Sequence, residues 1–191
     1  MKKLNALLVM LVITSVAFAQ STWTIDKYHS KIGFSVAHMG VSETEGKFNE
    51  FDGTISSKTE DFNGAEVTFT AKTASIDTDN ERRDGHLKSA DFFDAEKYPD
   101  ITFKGNLVKK GKKYSLKGNF TMHGVTKEVE FDVTYGGTVN TGKGFKAGFK
   151  LNGQINRQDY GLTWTNKVAT GELVVGDTVE ISCKIEVDKK A

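Results

Sequence analysis

KYSLKGNFTMHGVTKEVEFDVTY, residues 113–135, holds two alternating runs around one tight turn. Tyr114, Leu116, Gly118, Phe120 and Met122 alternate with Ser115, Lys117, Asn119 and Thr121. After His123-Gly124, Val129, Phe131, Val133 and Tyr135 alternate with Glu128, Glu130, Asp132 and Thr134. A period of two is that of a half-buried strand, and the short connection reads as a hairpin. The pattern recurs on both sides. Ile32, Phe34 and Val36 carry it first, followed by a strand near residues 47–56. Val67, Phe69 and Ala71, then Ile101, Phe103, Gly105 and Leu107, continue it. The sets from Phe145 to Ile155 and from Val179 to Val187 complete eight strands.

Each strand has one apolar and one polar face. This excludes a parallel sheet covered on both sides, whose strands read as continuous apolar runs. Sequential antiparallel strands with short Gly, Asn and Lys turns give an all-β barrel or sandwich. Gly33, Gly105, Gly118, Gly148 and Gly153 lie within strands, where glycine marks a bend, a bulge or a close approach; this favours closure. Residues 77–94 (DTDNERRDGHLKSADFFD) break the alternation. They predict a short helical insertion over about 78–94, capped by Asp77 or Asp79, with Glu81 in the first turn.

The chain has 191 residues with a net charge of +1, which suits one domain and leaves no basic footprint for nucleic acid. Thirteen Phe and 27% charged residues argue against disorder. Lys2 and Lys3, an apolar stretch from Leu4 to Val16, and Ala17-Phe18-Ala19 make residues 1–19 a secretory signal, cut before Gln20. The expected product is residues 20–191, one exported domain, periplasmic or secreted, with no stable membrane insertion. Cys183 is the sole cysteine, so no intramolecular disulfide forms.

An eight-stranded barrel is either filled by its side chains or holds one small ligand. Phe34, Phe69, Phe103, Phe120, Phe131 and Phe149 share the inward parity, and Met122 and Cys183 add soft surface. The residues alone leave a packed core and a lined cavity both open. His29, His38, His86 and His123 have no metal-ligand spacing, so no metal or other cofactor is expected. Arg82, Arg83 and Lys88 lie among acidic neighbours. Arg157 has Asp159 nearby as a partner, or a carboxylate across the barrel. No nucleophile elbow, phosphate loop or dinucleotide fingerprint occurs, and Cys183 on an apolar face reads as a small hydrophobe.

Several motifs in order resemble the YceI-like family of exported lipid-binding proteins. They are Trp23-Thr24-Ile25-Asp26 with His29-Ser30, Phe51-Asp52-Gly53, and Arg83-Asp84 with His86-Leu87-Lys88-Ser89. Tyr98-Pro99, the run from Gly118 to Lys127 and Arg157-Gln158-Asp159-Tyr160-Gly161 follow. The resemblance implies an extended lipocalin-like barrel with a tunnel for a long apolar ligand: polyisoprenoid, isoprenoid quinone or fatty amide. It carries no catalytic residues. Parity and resemblance together give Phe34, Val36, Phe69, Phe103, Leu116, Phe120, Phe131, Phe149 and Ile181 as tunnel lining. His38, Arg83, His86 and Arg157 are the candidates for a polar mouth. The expected function is a carrier of an isoprenoid-type lipid, polyprenyl or quinone-like. The alternatives are a fatty acid or fatty amide binder, a lipid-modifying barrel enzyme with His38 or His86 as base, and a structural module with a filled core. A homodimer is compatible with the sequence.

Overall fold

The computed structural model describes residues 20–190. The signal segment, residues 1–19, lies outside the described residues. Eleven strands are present: β1 Ser21–Ile25, β2 Lys31–His38, β3 Ser42–Phe48, β4 Phe51–Ser57, β5 Glu66–Lys72, β6 Ile76–Asp77, β7 Asp100–Lys110, β8 Lys113–Met122, β9 Val125–Asn140, β10 Phe145–Asn156 and β11 Val175–Lys189. Among the described residues one α-helix, α1 Glu81–Lys88, lies between β6 and β7, with short 3-10 turns at Thr73–Ser75 and Arg157–Tyr160.

The eleven strands build eight ribs, because the first three ribs are each broken once. β1 and β2 both pair with β11, at Ile25↔Val187 and Lys31↔Lys184. β4 pairs with β1, and β3 with β2. β5 pairs with β4, and β6 with β3. From there β7, β8, β9, β10 and β11 follow in sequence order, every pair antiparallel. The result is a closed up-and-down barrel in which β9 and β10 part beyond Asn152↔Asp132.

The breaks explain two differences from the sequence pattern. β1, only five residues long, is a strand the alternation pattern does not predict. The strand expected near 47–56 is interrupted at Asn49-Glu50. At each break the inward parity changes phase: from Ile25 to Ile32, from Phe48 to Phe51, and from Ala71 to Ile76. An odd spacing would turn a continuous strand's apolar face outward. Each break supplies the residues that restore it.

The expected insertion is present, with a shorter helix. Its cap is Asn80 rather than Asp77 or Asp79: Asn80 Oδ1 accepts the Arg83 N–H at 3.0 Å. Asp79 takes a left-handed φ of 58°, so the chain reverses there and Asn80 becomes the last extended residue. Asp84 fixes the same turn by accepting from the Thr78 N–H and hydroxyl.

One end of the barrel is plugged. The β4–β5 loop drives Phe62, 1% exposed, between Trp23, Tyr135 and Phe149, with ring centroids 5.1, 5.5 and 5.2 Å away. Lys109 Nζ meets Asp61 at 2.7 Å, and the Tyr114 hydroxyl donates to the Asp61 carbonyl at 2.8 Å. Those two bonds hold Phe62 at a left-handed φ of 58°.

Gly105 and Gly118 face each other across β7 and β8. A Cβ on Gly105 would stand 2.2 Å from the Lys117 carbonyl oxygen, and one on Gly118 would stand 2.4 Å from Gly105 Cα. Only glycine permits this approach, and the tight coil of the barrel depends on it. Gly105→Ala is therefore expected to cost about 1–3 kcal/mol. Urea unfolding checks this; an unchanged midpoint would contradict the close approach.

Candidate ligand-binding site

The inward faces do not fill the barrel. A cavity of about 220 Å³ runs inside it, bounded by residues from every rib. Protein interiors seldom contain voids much larger than a water molecule, so this space is not a packing defect. All nine apolar candidates border it: Phe34, Val36, Phe69, Phe103, Leu116, Phe120, Phe131, Phe149 and Ile181. Glycines opposite aromatic rings shape the wall. A Cβ at Gly46 would lie 2.3 Å from the Phe34 ring, and one at Gly153 would lie 2.3 Å from the Phe131 ring.

Only Thr54, Thr68 and Arg157 among the lining residues carry side-chain oxygen or nitrogen. The two threonine hydroxyls bond each other at 2.8 Å. Arg157 is 2% exposed, and all five of its N–H groups are taken. Nε donates to the Gly176 carbonyl. Nη1 donates to those of Leu162 and Trp164, and Nη2 to the Val175 carbonyl and Asp177 Oδ1. Burial lowers the guanidinium pKa and Asp177 opposes the shift. No buried side-chain polar atom among the described residues is left unpaired. The cavity therefore offers a guest no free polar group. Its chemistry is that of a container for hydrocarbon, held by burial at about 0.8 kcal/mol per methylene.

The four polar-mouth candidates do not converge. Arg157 reaches the cavity but serves as a staple. It ties residues 162–164 to the start of β11. Its partner is Asp177, while Asp159 pairs with Lys127 at 3.3 Å. Arg83 donates from Nε and Nη2 to the Thr78 hydroxyl and carbonyl, away from the cavity wall. His38 ends β2 opposite Val175. His86 packs edge-on against Phe92 and Trp164, both at 5.3 Å, with Nε2 3.4 Å from Asp91.

Sequence reasoning missed the end cap. Leu87, Phe92 and Phe93 from the insertion, with Leu162 from the β10–β11 connection and Val175 at the start of β11, line the cavity opposite the Phe62 plug. Residues 89–93 (SADFF) carried the signal, as apolar residues inside an otherwise charged segment. Cys183 borders the cavity as well, and burial pushes its thiol up to about 11, which suits an inert wall residue.

A second polar group lies outside the barrel, at the β1–β2 break. Asp26, His29 and Glu186 are close enough to share a cation. The Lys146 ammonium is there instead, 2.9 Å from Asp26 and 2.8 Å from both Glu186 and Asp188. His29 Nδ1 also contacts Asp26, at 2.8 Å. These contacts lower the Asp26 pKa, Lys146 most and His29 next, and Asp26 in turn raises the His29 pKa. The group pins the strand break to β10 and β11.

The comparisons fit this geometry. Fold and cavity define a closed eight-stranded antiparallel barrel that encloses space for a small hydrophobic molecule. The model of the YceI-like domain matches residues 23–187, and the chain belongs to that family. The Staphylococcus aureus (strain N315) UPF0312 protein SA2479 is 34% identical over 168 residues, covering 87% of this chain and 96% of the relative. The Campylobacter jejuni YCEI protein is 32% identical, covering 87% of this chain and 96% of its own, with a TM-score of 0.70. Burkholderia cenocepacia BcnA shares the fold at a TM-score of 0.71 and 24% identity, over 85% of this chain and 98% of its own. A polyisoprenoid binding domain from Saccharophagus degradans shares it at a TM-score of 0.64 and 15% identity, over 88% of this chain and 98% of its own. No helix among the described residues is long and apolar enough to cross a membrane.

The pH dependence follows from Asp26. Its depressed pKa adds stability above the unfolded carboxylate value, lost as pH falls through the folded one. The raised His29 pKa acts oppositely, with stability present below the unfolded imidazole value and lost as pH rises through the folded one. Asp26→Asn is expected to lower the unfolding midpoint at neutral pH. The gap to the unsubstituted protein should narrow as the pH is taken below about 4. Urea titrations across that range check this; a pH-independent gap would contradict the assignment.

Proposed function

We propose that this protein is an exported carrier that holds one amphiphile by its long apolar tail, of isoprenoid or acyl type, inside the barrel. The observation that carries this reading is the cavity wall: apolar on every rib, with each polar neighbour already bonded. Such a wall rewards hydrocarbon length and rejects a charged head. Any head group therefore stays at the capped end, near Leu87, Phe93 and Val175. The isoprenoid form of the tail is supported by the name of the Saccharophagus degradans domain, and export is supported by the composition of residues 1–19.

Binding rather than turnover fits the site. His38 and His86, the candidate bases of an enzymatic reading, stand outside the cavity lining. Cys183 carries a thiol held protonated at neutral pH.

Phe120→Asp tests the reading. A carboxylate on the cavity wall is expected to abolish uptake of a fluorescent prenyl or acyl probe, with export unchanged and folding verified by circular dichroism. Normal uptake by the folded variant would contradict the proposal. Cys183 gives a second test without mutation. A bound lipid is expected to shield its thiol from a small apolar maleimide, slowing labelling by about tenfold or more. Equal labelling with and without lipid would place the lipid elsewhere.

A further inference from the structure

The two ends of the cavity are built in different ways. At the plugged end, Phe62 sits among three rings and its loop is tied by Lys109–Asp61 and Tyr114–Asp61 bonds. On the side wall, the β9–β10 ladder stops at Asn152↔Asp132, so residues 125–131 and 153–156 splay apart. Beside that wedge the buried Tyr160 packs its ring against Phe120 of β8, centroids 5.6 Å apart. The wedge too is tied by polar bonds: Lys127 to Asp159 at 3.3 Å, and the His123 Nδ1–H to the Tyr160 carbonyl at 3.1 Å.

The capped end differs. Two segments meet over it, residues 78–98 carrying α1 and residues 161–174. Among the described residues no hydrogen bond or ion pair joins them. They touch through rings: His86 against Trp164 at 5.3 Å and Phe92 against Trp164 at 5.3 Å, with His86 and Phe92 in contact beneath. The Trp164 side is fixed, because Arg157 holds the Leu162 and Trp164 carbonyls. The α1 side is tied to the strands by polar bonds only at its base. There Thr73 bonds the Pro99 and Tyr98 carbonyls, and Asp77 meets Asn49 and Lys47. Above that base the segment is held by apolar contact, Phe93 against Phe48 at 6.3 Å and Tyr98 against His123 at 4.4 Å with Phe92 buried, while no residue of α1 itself is buried. A segment with an exposed helix and no polar tie to the post opens at lower cost than the laddered strands.

The geometry points to a gate. Residues 78–98 form a lid that swings away from Trp164, which acts as a fixed post, and the guest enters and leaves through the opening. Phe92 and Leu87 are on the lid and on the cavity wall at once. A guest in place therefore contacts the lid directly. Left-handed backbone at Asp79 (φ 58°) and Asp94 (φ 46°) marks the two points where the lid leaves its base and returns. This gate rests on the reading of the cavity as a lipid container.

The test locks the lid. In a Cys183→Ala background, His86→Cys and Trp164→Cys are joined by a bifunctional methanethiosulfonate linker, which dithiothreitol removes. Uptake of N-phenyl-1-naphthylamine is followed by stopped-flow fluorescence. The linked protein is expected to take up the probe at least about tenfold more slowly than the same sample after reduction. Equal rates before and after reduction overturn the gate. Absence of uptake in both, and in the unsubstituted protein, overturns the container reading, and the gate with it. Trp164→Ala supplies an independent readout. Loss of two ring contacts is expected to raise uptake and release rates together by about tenfold, while the equilibrium affinity moves far less. Unchanged rates in the folded variant overturn the role of Trp164 as the post.

Discussion

Strand β11 closes the barrel. Its fifteen residues pair with β10 along one edge and with both halves of the first rib along the other. A sheet closed on itself has no edge to protect, so every inward side chain is committed to one enclosed space. Along β11, Val179, Ile181, Cys183 and Ile185 face that space, while Glu180, Ser182 and Lys184 face water. The cavity exists because closure fixes the circumference and the inward residues do not fill it. Large rings stand opposite glycines, as Phe34 does over Gly46 and Phe131 over Gly153.

The same closure raises the question of how a guest gets in. Fixed strands cannot part without losing ladder hydrogen bonds. The stretch of wall without ladder bonds, between residues 125–131 and 153–156, is tied over by Lys127–Asp159, so access comes from an end, and the two ends are built unequally. Phe62 with its polar ties makes one end part of the core. Arg157 makes half of the other end rigid as well, since its five donors weld the β10–β11 connection to β11. A buried charge with every donor matched is stable in place. The insertion carrying α1 is the part of the enclosure held chiefly by apolar contact.

Much of this was legible in the sequence. Eight alternating runs gave eight ribs, and Gly105 and Gly118 marked a close approach of strands. The rib breaks were less visible, although the phase changes between Phe48 and Phe51 and between Ala71 and Ile76 recorded them. The helix cap was misplaced by one to three residues, because the left-handed turn at Asp79 is not written in residue type. Inward parity marked Phe34, Phe120 and Phe149 as residues that border the interior. It could not say whether that interior was filled, since that depends on ring orientation and on volume summed over eight strands. The polar candidates were least legible. Arg157 paired with Asp177, twenty residues away, rather than with nearby Asp159, and His86 found Trp164 across the cap. Such contacts are set by tertiary placement, which no local spacing encodes.

Native mass spectrometry of the protein purified from its own cells, followed by lipid extraction, tests whether the enclosed space holds a hydrocarbon chain. One co-purifying mass consistent with a prenyl or acyl lipid, released on unfolding, is expected. An empty protein that also takes up no added prenyl or acyl lipid would contradict it.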